Sequence, residues 1–276
     1  MKKIDIYVFS ATGNTYKCAE ELKKNLVKLG AEVDIKRIED GSEKVENVGD
    51  AVVVCYPVHG FNAPANVIQF CKGLPSAVVD AYVMKTSGEP LKINDDSSRQ
   101  IVRCLTGKGY AYKGEFHFVM PYNMIFRHTD EMAAKMFLTA KERMPKAAET
   151  IYAGEDRTRK IPFKAKLVRG IVSIEHPGVR FNGRFFRVKE DKCVHCMKCV
   201  KNCPTKNISY VDGKFKFGNN CLLCARCAFN CPVDAVRIGI MDFLRVNGKY
   251  DFGADPEQAT IGKYCQKAYT KYFSEP

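Results

Sequence analysis

Eight cysteines between Cys193 and Cys231 constrain this chain more than any other feature. They run Cys193-x2-Cys196-x2-Cys199-x3-Cys203-Pro204 and then Cys221-x2-Cys224-x2-Cys227-x3-Cys231-Pro232, so each cysteine recurs 28 residues later. An internal duplication of this kind predicts two equivalent halves. The chain's first residues lead straight into an apolar strand pattern, without the basic segment, apolar core and cleavage site of a signal peptide. The longest uncharged stretch, Ala51 to Cys71, is broken by His59, Gly60 and two prolines, so no membrane span is expected. A cytoplasmic chain follows as the expectation. There thiols stay reduced, and the cysteines are expected as ligands or buried thiols rather than disulfides. Cys18, Cys55, Cys71, Cys104 and Cys265 stand on apolar faces or alone, and most are expected to be packing thiols.

The first 150 residues read differently. Ile4–Phe9 is a short apolar run, and Cys18, Leu22, Leu26 and Leu29 follow at helical spacing up to Gly30. Ala31–Ile38 alternates, Ala51–Cys55 is a β-branched run suited to burial on both faces of a sheet, and Ala77–Met84 and Phe116–Met120 complete five predicted strands. Helices are predicted over 66–71, 97–105 and 129–153. Strands separated by helices indicate an open α/β sheet, which binds ligands beyond the carboxyl ends of its strands. The loop after the first strand, Ser10-Ala11-Thr12-Gly13-Asn14-Thr15, combines hydroxyls, a glycine and a helix N-terminus, which together make an anion cradle. Without the lysine of a nucleoside-triphosphate loop, it suits a terminal monophosphate. A hydroxyl-rich helix cap with no ligand is the competing interpretation.

Thr12-Gly13-Asn14-Thr15 behind an N-terminal strand resembles the phosphate loop of flavodoxins, and residues 1–153 resemble their fold. The resemblance implies a five-stranded parallel sheet in the order 2-1-3-4-5 and bound FMN. It places Ser10 to Thr15 on the phosphate, and Tyr56, Pro57, Val58, Phe61, Asn62, Thr86, Ser87 and Gly88 around the isoalloxazine ring. Flavodoxins commonly stack tryptophan and tyrosine on that ring. This chain has no tryptophan, which leaves Tyr56 or Phe61 for the role, and Tyr122, after the fifth strand, could also approach. His59 could contact the flavin, although an ordinary loop histidine is the preferred reading, while Cys55, just before the loop, could tune the flavin.

The cysteine runs resemble those of bacterial ferredoxins with two [4Fe-4S] clusters, over residues 185–240. That resemblance implies crossed ligation: Cys193, Cys196, Cys199 and Cys231 on one cluster, and Cys221, Cys224, Cys227 and Cys203 on the other. Zinc modules, the alternative, usually pair two C-x2-C knuckles across a longer gap. A smaller α+β domain is expected, with Ile208, Val211, Phe215, Phe217, Val236 and Ile238 as its apolar shell.

Charge divides the chain in the same way. Residues 1–150 hold 21 basic and 19 acidic residues, against 23 and 12 in residues 151–276. Ten basic residues and one acid lie between Arg157 and Lys189. The expected organisation is a flavodoxin-like domain (1–155), a basic helical linker (156–183), a ferredoxin domain (184–240) and a C-terminal extension (241–276). No nucleic-acid motif accompanies the charge. Two clusters at about −2 each and an FMN phosphate at roughly −2 would bring the formal +13 to about +7. The remainder suits docking of redox partner proteins with acidic faces.

Taken whole, the chain resembles flavodoxin–ferredoxin fusion proteins, which implies an electron carrier between FMN and two [4Fe-4S] clusters. No acid–base or nucleophile constellation is present, so a carrier is preferred over an enzyme. Two rivals stand beside it. One is an FMN-dependent oxidoreductase with its own small substrate, roofed by residues 241–276. The other is a flavin-free module that docks a ferredoxin to its partners. No oligomeric state follows from the sequence.

Overall fold

The computed structural model describes residues 1–161, 163, 165, 167 and 181–275. Five parallel strands, β1 (Lys3–Val8), β2 (Glu32–Arg37), β3 (Ala51–Pro57), β4 (Asp80–Ser87) and β5 (Ala111–Val119), form one sheet in the order β2-β1-β3-β4-β5. Its faces are covered by α1 (Asn14–Lys28), α2 (Ala65–Gly73), α3 (Arg99–Thr106) and α4 (Asp130–Ala153). β3 shows why the sheet is central. Val53 and Cys55 pack with Cys18, Leu22 and Leu26 of α1 and with Met144 and Ile151 of α4. Val52, Val54 and Tyr56 pack on the other face with Val67 and Phe70 of α2 and with Ile101 and Leu105 of α3. A strand covered on both faces must be apolar at every position, and Ala51 to Tyr56 are all fully buried. α4 begins at Thr129, whose hydroxyl accepts from the amide of Met132 at 3.2 Å, and stops at Gly154 in the left-handed region.

Two strand boundaries differ from the sequence expectation. β4 starts at Asp80 rather than Ala77 and continues to Ser87. Its limits follow the register with β3, Ala51 opposite Asp80 through Pro57 opposite Thr86, while Val78 is 93% exposed. β5 begins at Ala111 and carries an extra residue, Lys113, where its register with β4 shifts between Ala81 and Tyr82. Helix 97–105 divides into a 3-10 segment, Lys92–Ser98, and α3.

The cysteine-bearing part follows its 28-residue repeat in space. β6 (Phe186–Val188) pairs antiparallel with β9 (Val236–Ile238), and β7 (Ile208–Val211) with β8 (Lys214–Phe217). Each strand that precedes one cysteine run therefore pairs with a strand that follows a run: β6 with the one beyond the second, β8 with the one beyond the first. One-turn helices, Lys198–Lys201 and Arg226–Phe229, hold equivalent places. Ile208, Val236 and Ile238 are buried as expected, but Val211 is 43% exposed, and Phe215 is only half-buried against Tyr210 and His195. The register of the two-stranded ribbon puts Val211 on its outer face with Ser209, Lys214 and Lys216, whereas Phe215 shares the Ile208 face but lies towards the turn.

Residues 239–275 return to the sheet. The helix Gln266–Ser274 buries Tyr269 and Tyr272 against Val119, Met132 and Met136. The Tyr272 hydroxyl accepts from the Val119 amide at 3.1 Å, and the Arg157 amide donates to the Lys113 carbonyl at 2.6 Å, so the open edge of β5 is met at both ends. The expected helical linker, 156–183, falls largely outside the described residues. No described helix is long and apolar enough to cross a membrane.

Candidate functional site

A cavity of about 1050 Å³ opens at the carboxyl ends of the strands. One wall is made of the loops after β1, β3, β4 and β5, and the other includes Phe181, Arg184, Cys221, Leu222, Leu223, Met241 and Leu244. The site therefore lies between the sheet and the second cysteine run.

The first loop meets the requirements for an anion. Gly13 has φ 104°, a conformation that favours glycine, and a Cβ there would meet nothing within 4 Å. No side chain caps α1, and its first turn carries no acid, so the helix offers amides and positive potential to the cavity. Ser10, Ala11, Thr12, Asn14 and Thr15 all line the cavity. Thr15 and Asn14 also brace the neighbouring loops. The Thr15 hydroxyl lies 2.8 Å from that of Thr86, and the Asn14 side chain donates to the Pro121 carbonyl at 2.8 Å.

After β3, His59 and Asn62 exchange two backbone hydrogen bonds of 2.9 Å around Gly60 (φ 49°) and Phe61 (φ 61°). Both central residues have positive φ, as in a tight two-residue hairpin turn, which costs Phe61 an uncommon conformation. The turn presents Pro57, Val58, Phe61 and Asn62 to the cavity. Tyr56 is not among these residues. Its side chain is fully buried on the α2–α3 face, with its hydroxyl 3.4 Å from that of Ser97, so it cannot stack on a ring in the cavity. Cys55 likewise points into the core, where burial pushes its thiol well above the ordinary range, and it does not line the cavity. Phe61 is the aromatic side chain of the expected ring set that does so.

Thr86, Ser87 and Gly88 line the cavity together with Glu89. A Cβ on Gly88 would lie 2.2 Å from the Tyr122 ring, so only glycine permits this contact. Tyr122 stacks on His128, with centroids 5.3 Å apart, and donates to the Glu89 carboxylate. His128 Nδ1 accepts from the Tyr122 amide at 3.3 Å, which leaves Nε2–H to donate to the Tyr269 hydroxyl at 3.3 Å. Burial holds the His128 imidazole neutral, with its pKa lowered to about 4.

Seven of the eight cysteines fall into two sets of neighbours. Cys199 has Cys193 and Cys231 as charge neighbours, whereas Cys221, Cys224 and Cys227 have Cys203. Cys196 is exposed. Backbone amides donate to sulfur in matched pairs, His195 to Cys193 at 3.4 Å and Leu223 to Cys221 at 3.3 Å. Asn207 donates to Cys203 at 3.3 Å and Ala235 to Cys231 at 3.2 Å. Paired positive-φ residues, His195 with Leu223 and Met197 with Ala225, bend the two loops alike. Among the described residues no three His, Cys, Asp or Glu side chains converge on a single metal ion. A cubane instead takes four thiolates spread around four irons, and amide donors to sulfur are among the features that set its potential. Burial raises the Cys199 thiol to about 11 and Cys221 to about 12, so ligation there would release protons.

The two repeats face different surroundings. Val194, His195, Cys196, Lys198 and Lys201 are exposed, whereas their counterparts Leu222, Leu223, Cys224, Arg226 and Phe229 are buried or half-buried against the sheet domain. The Asn123 side chain donates to the Cys224 carbonyl at 3.3 Å. Sequence reasoning missed this second wall. The signal was present as apolar residues in one run where the other has exposed polar ones.

The sequence model of the flavodoxin domain matches residues 6–83, and that of the 4Fe-4S binding domain matches residues 185–208. No curated protein matches the chain. Among solved structures, a flavodoxin from Streptococcus pneumoniae is 19% identical, covering 55% of this chain and 97% of its own, with a TM-score of 0.38. Oxidised flavodoxin 2 from Bacillus cereus is 14% identical, covering 56% and 99%, with a TM-score of 0.41. An NADH:FMN oxidoreductase in its apo form is 14% identical, covering 58% and 94%, with a TM-score of 0.43.

Proposed function

We propose that this chain, in which a flavodoxin domain is joined to a 4Fe-4S binding domain, carries electrons between FMN and two [4Fe-4S] clusters. The observation that carries this reading is the shared cavity, where the anion loop and the strand-end turns face Cys221-Leu222-Leu223 across one space. FMN exchanges one or two electrons and each cluster one, so the pair would split or merge electron pairs. The first-turn amides of α1, with Ser10 and Thr12, hold the phosphate. Pro57, Val58, Phe61, Asn62 and Thr86 to Gly88 hold the ring. Cys203, Cys221, Cys224 and Cys227 hold the inner cluster beside it, and Cys193, Cys196, Cys199 and Cys231 hold the outer one. Exposed Val194 and Cys196, with Lys192, Lys198 and Lys201 nearby, form the face where an acidic redox partner docks.

Anaerobic purification followed by iron, sulfide and flavin analysis tests this reading. About eight iron atoms and one FMN per chain are expected. Eight irons without flavin would instead favour the flavin-free docking module. The cavity also favours a second reading, turnover of a small substrate, because about 1050 Å³ is at the upper end of the roughly 300–1,000 Å³ usual for one ligand. Substrate-dependent reoxidation of the reduced holoprotein would select it.

A further inference from the structure

We propose that Arg226 is a positioning residue that sets the anion loop and the inner cysteine set in one frame, so that flavin retention and the inner cluster depend on each other. The inference rests on the FMN and two-cluster reading and goes beyond it by naming the joint.

Arg226 lies between Cys224 and Cys227, and the 28-residue repeat gives it Lys198 as its counterpart. Lys198 is exposed, whereas the Arg226 side chain is 11% exposed and its guanidinium reaches three separate segments. Its Nε donates to the carbonyl of Ala11 at 3.0 Å and Nη2 to that of Ser10 at 3.0 Å. Nη1 donates to the carbonyl of Asn202 at 3.1 Å and to the carboxylate of Glu39. Asn202 immediately precedes Cys203, the residue assigned to the inner cluster from the other repeat. One cation thus grips the anion loop, the turn of the fourth ligand and, through its own backbone, the loop of the other three.

The carbonyl contacts do more than join surfaces. In a trans peptide, the C=O and the following N–H point in opposite directions. Fixing the Ser10 and Ala11 carbonyls on the guanidinium therefore turns the amides of Ala11 and Thr12 to the other side of the loop. Both residues line the cavity, so the donors are set before any phosphate arrives. A planar fork can hold several acceptors at fixed angles, while an ammonium on a flexible stem cannot reproduce them. Because coupling between two sites is reciprocal, flavin bound at the loop steadies the inner cluster by the same factor as that cluster steadies the flavin.

The test uses full-length, anaerobically loaded protein carrying Arg226→Gln, Arg226→Lys, Glu39→Gln or, as the control, Lys28→Gln at the exposed far end of α1. FMN dissociation is read by flavin fluorescence, and the clusters by iron content and electron paramagnetic resonance. Arg226→Gln is expected to weaken FMN roughly ten- to hundredfold and to change the signal of one cluster while leaving the other unaltered. Arg226→Lys and Glu39→Gln should each give a smaller shift in the same two readouts, and Lys28→Gln should give none. If Arg226→Gln does not accumulate, Arg226→Lys carries the test. Wild-type flavin affinity in the Arg226 variants, or equal damage to both clusters, overturns the inference alone when the wild-type chain holds FMN and eight irons. A wild-type chain without flavin overturns it together with the functional reading.

Discussion

Lys85 sits in the middle of β4 with no exposed surface, an unusual place for an ammonium group. Its Nζ donates to the Asn94 carbonyl at 2.8 Å, the Asp95 carbonyl at 3.2 Å and the Glu115 carboxylate at 2.8 Å. The pair pins the 3-10 segment behind the Thr86–Glu89 loop, and burial lowers the lysine's pKa. Lys85→Ala leaves Glu115 buried with, among the described residues, Ser98 and Arg159 as its side-chain partners, and should cost about 3–5 kcal/mol in denaturant unfolding. At the cavity, Phe61→Ala should weaken FMN roughly two- to tenfold by fluorescence titration, whereas Tyr56→Phe should leave it unchanged. The anion loop could be read from the sequence because hydroxyls, a glycine and a helix start are contiguous. The stacking aromatic could not. In a strand apolar on both faces, nothing local distinguishes Tyr56, which enters the core, from a residue that clears the strand end.

At the scale of elements, α1, α4 and the five strands were legible because period and caps agree, as with Thr129 and Gly154 around α4. The role of the C-terminal helix was not, because its tyrosines act on groups more than a hundred residues away. Tyr269 joins His128 to the loop at Gly88, whose carbonyl it donates to, and His128 stays neutral in that chain. His117, buried beside Ser87, is likewise held down to about 3. Unfolded imidazoles take up protons below about pH 6.5, while these two resist until about 4 and 3. Their contribution to stability is therefore full above about pH 6.5 and declines as the pH falls below it. Denaturant midpoints measured from pH 7 to 5 should fall, and His128→Gln should flatten part of that slope.

For the whole molecule, duplication was visible in the cysteines, but its orientation was not. Both runs carry the same four cysteines and a following proline. What orients them is the contrast of Leu222, Leu223, Arg226 and Phe229 with Val194, His195, Lys198 and Lys201, which matters only once a sheet domain is there to be met. The orientation makes a prediction. Cys199→Ser and Cys231→Ser should alter one cluster's resonance and leave photoreduced flavin able to reduce the other. Cys203→Ser and Cys221→Ser should alter the second signal and slow electron transfer out of the flavin. Indistinguishable spectra from Cys199→Ser and Cys203→Ser would count against two crossed sites. The pairing of β6 with β9, around the local hairpin of β7 and β8, also governs how such a chain is made. Synthesis proceeds from the N-terminus, so the sheet through β5 can close while the cysteine module is still emerging. The module itself has no such head start. Its first strand waits for its last, about fifty residues later, and metal delivered to a nascent chain finds no finished half to enter. Maturation of the redox module is thus a single, late event, and a truncation inside either repeat forfeits both.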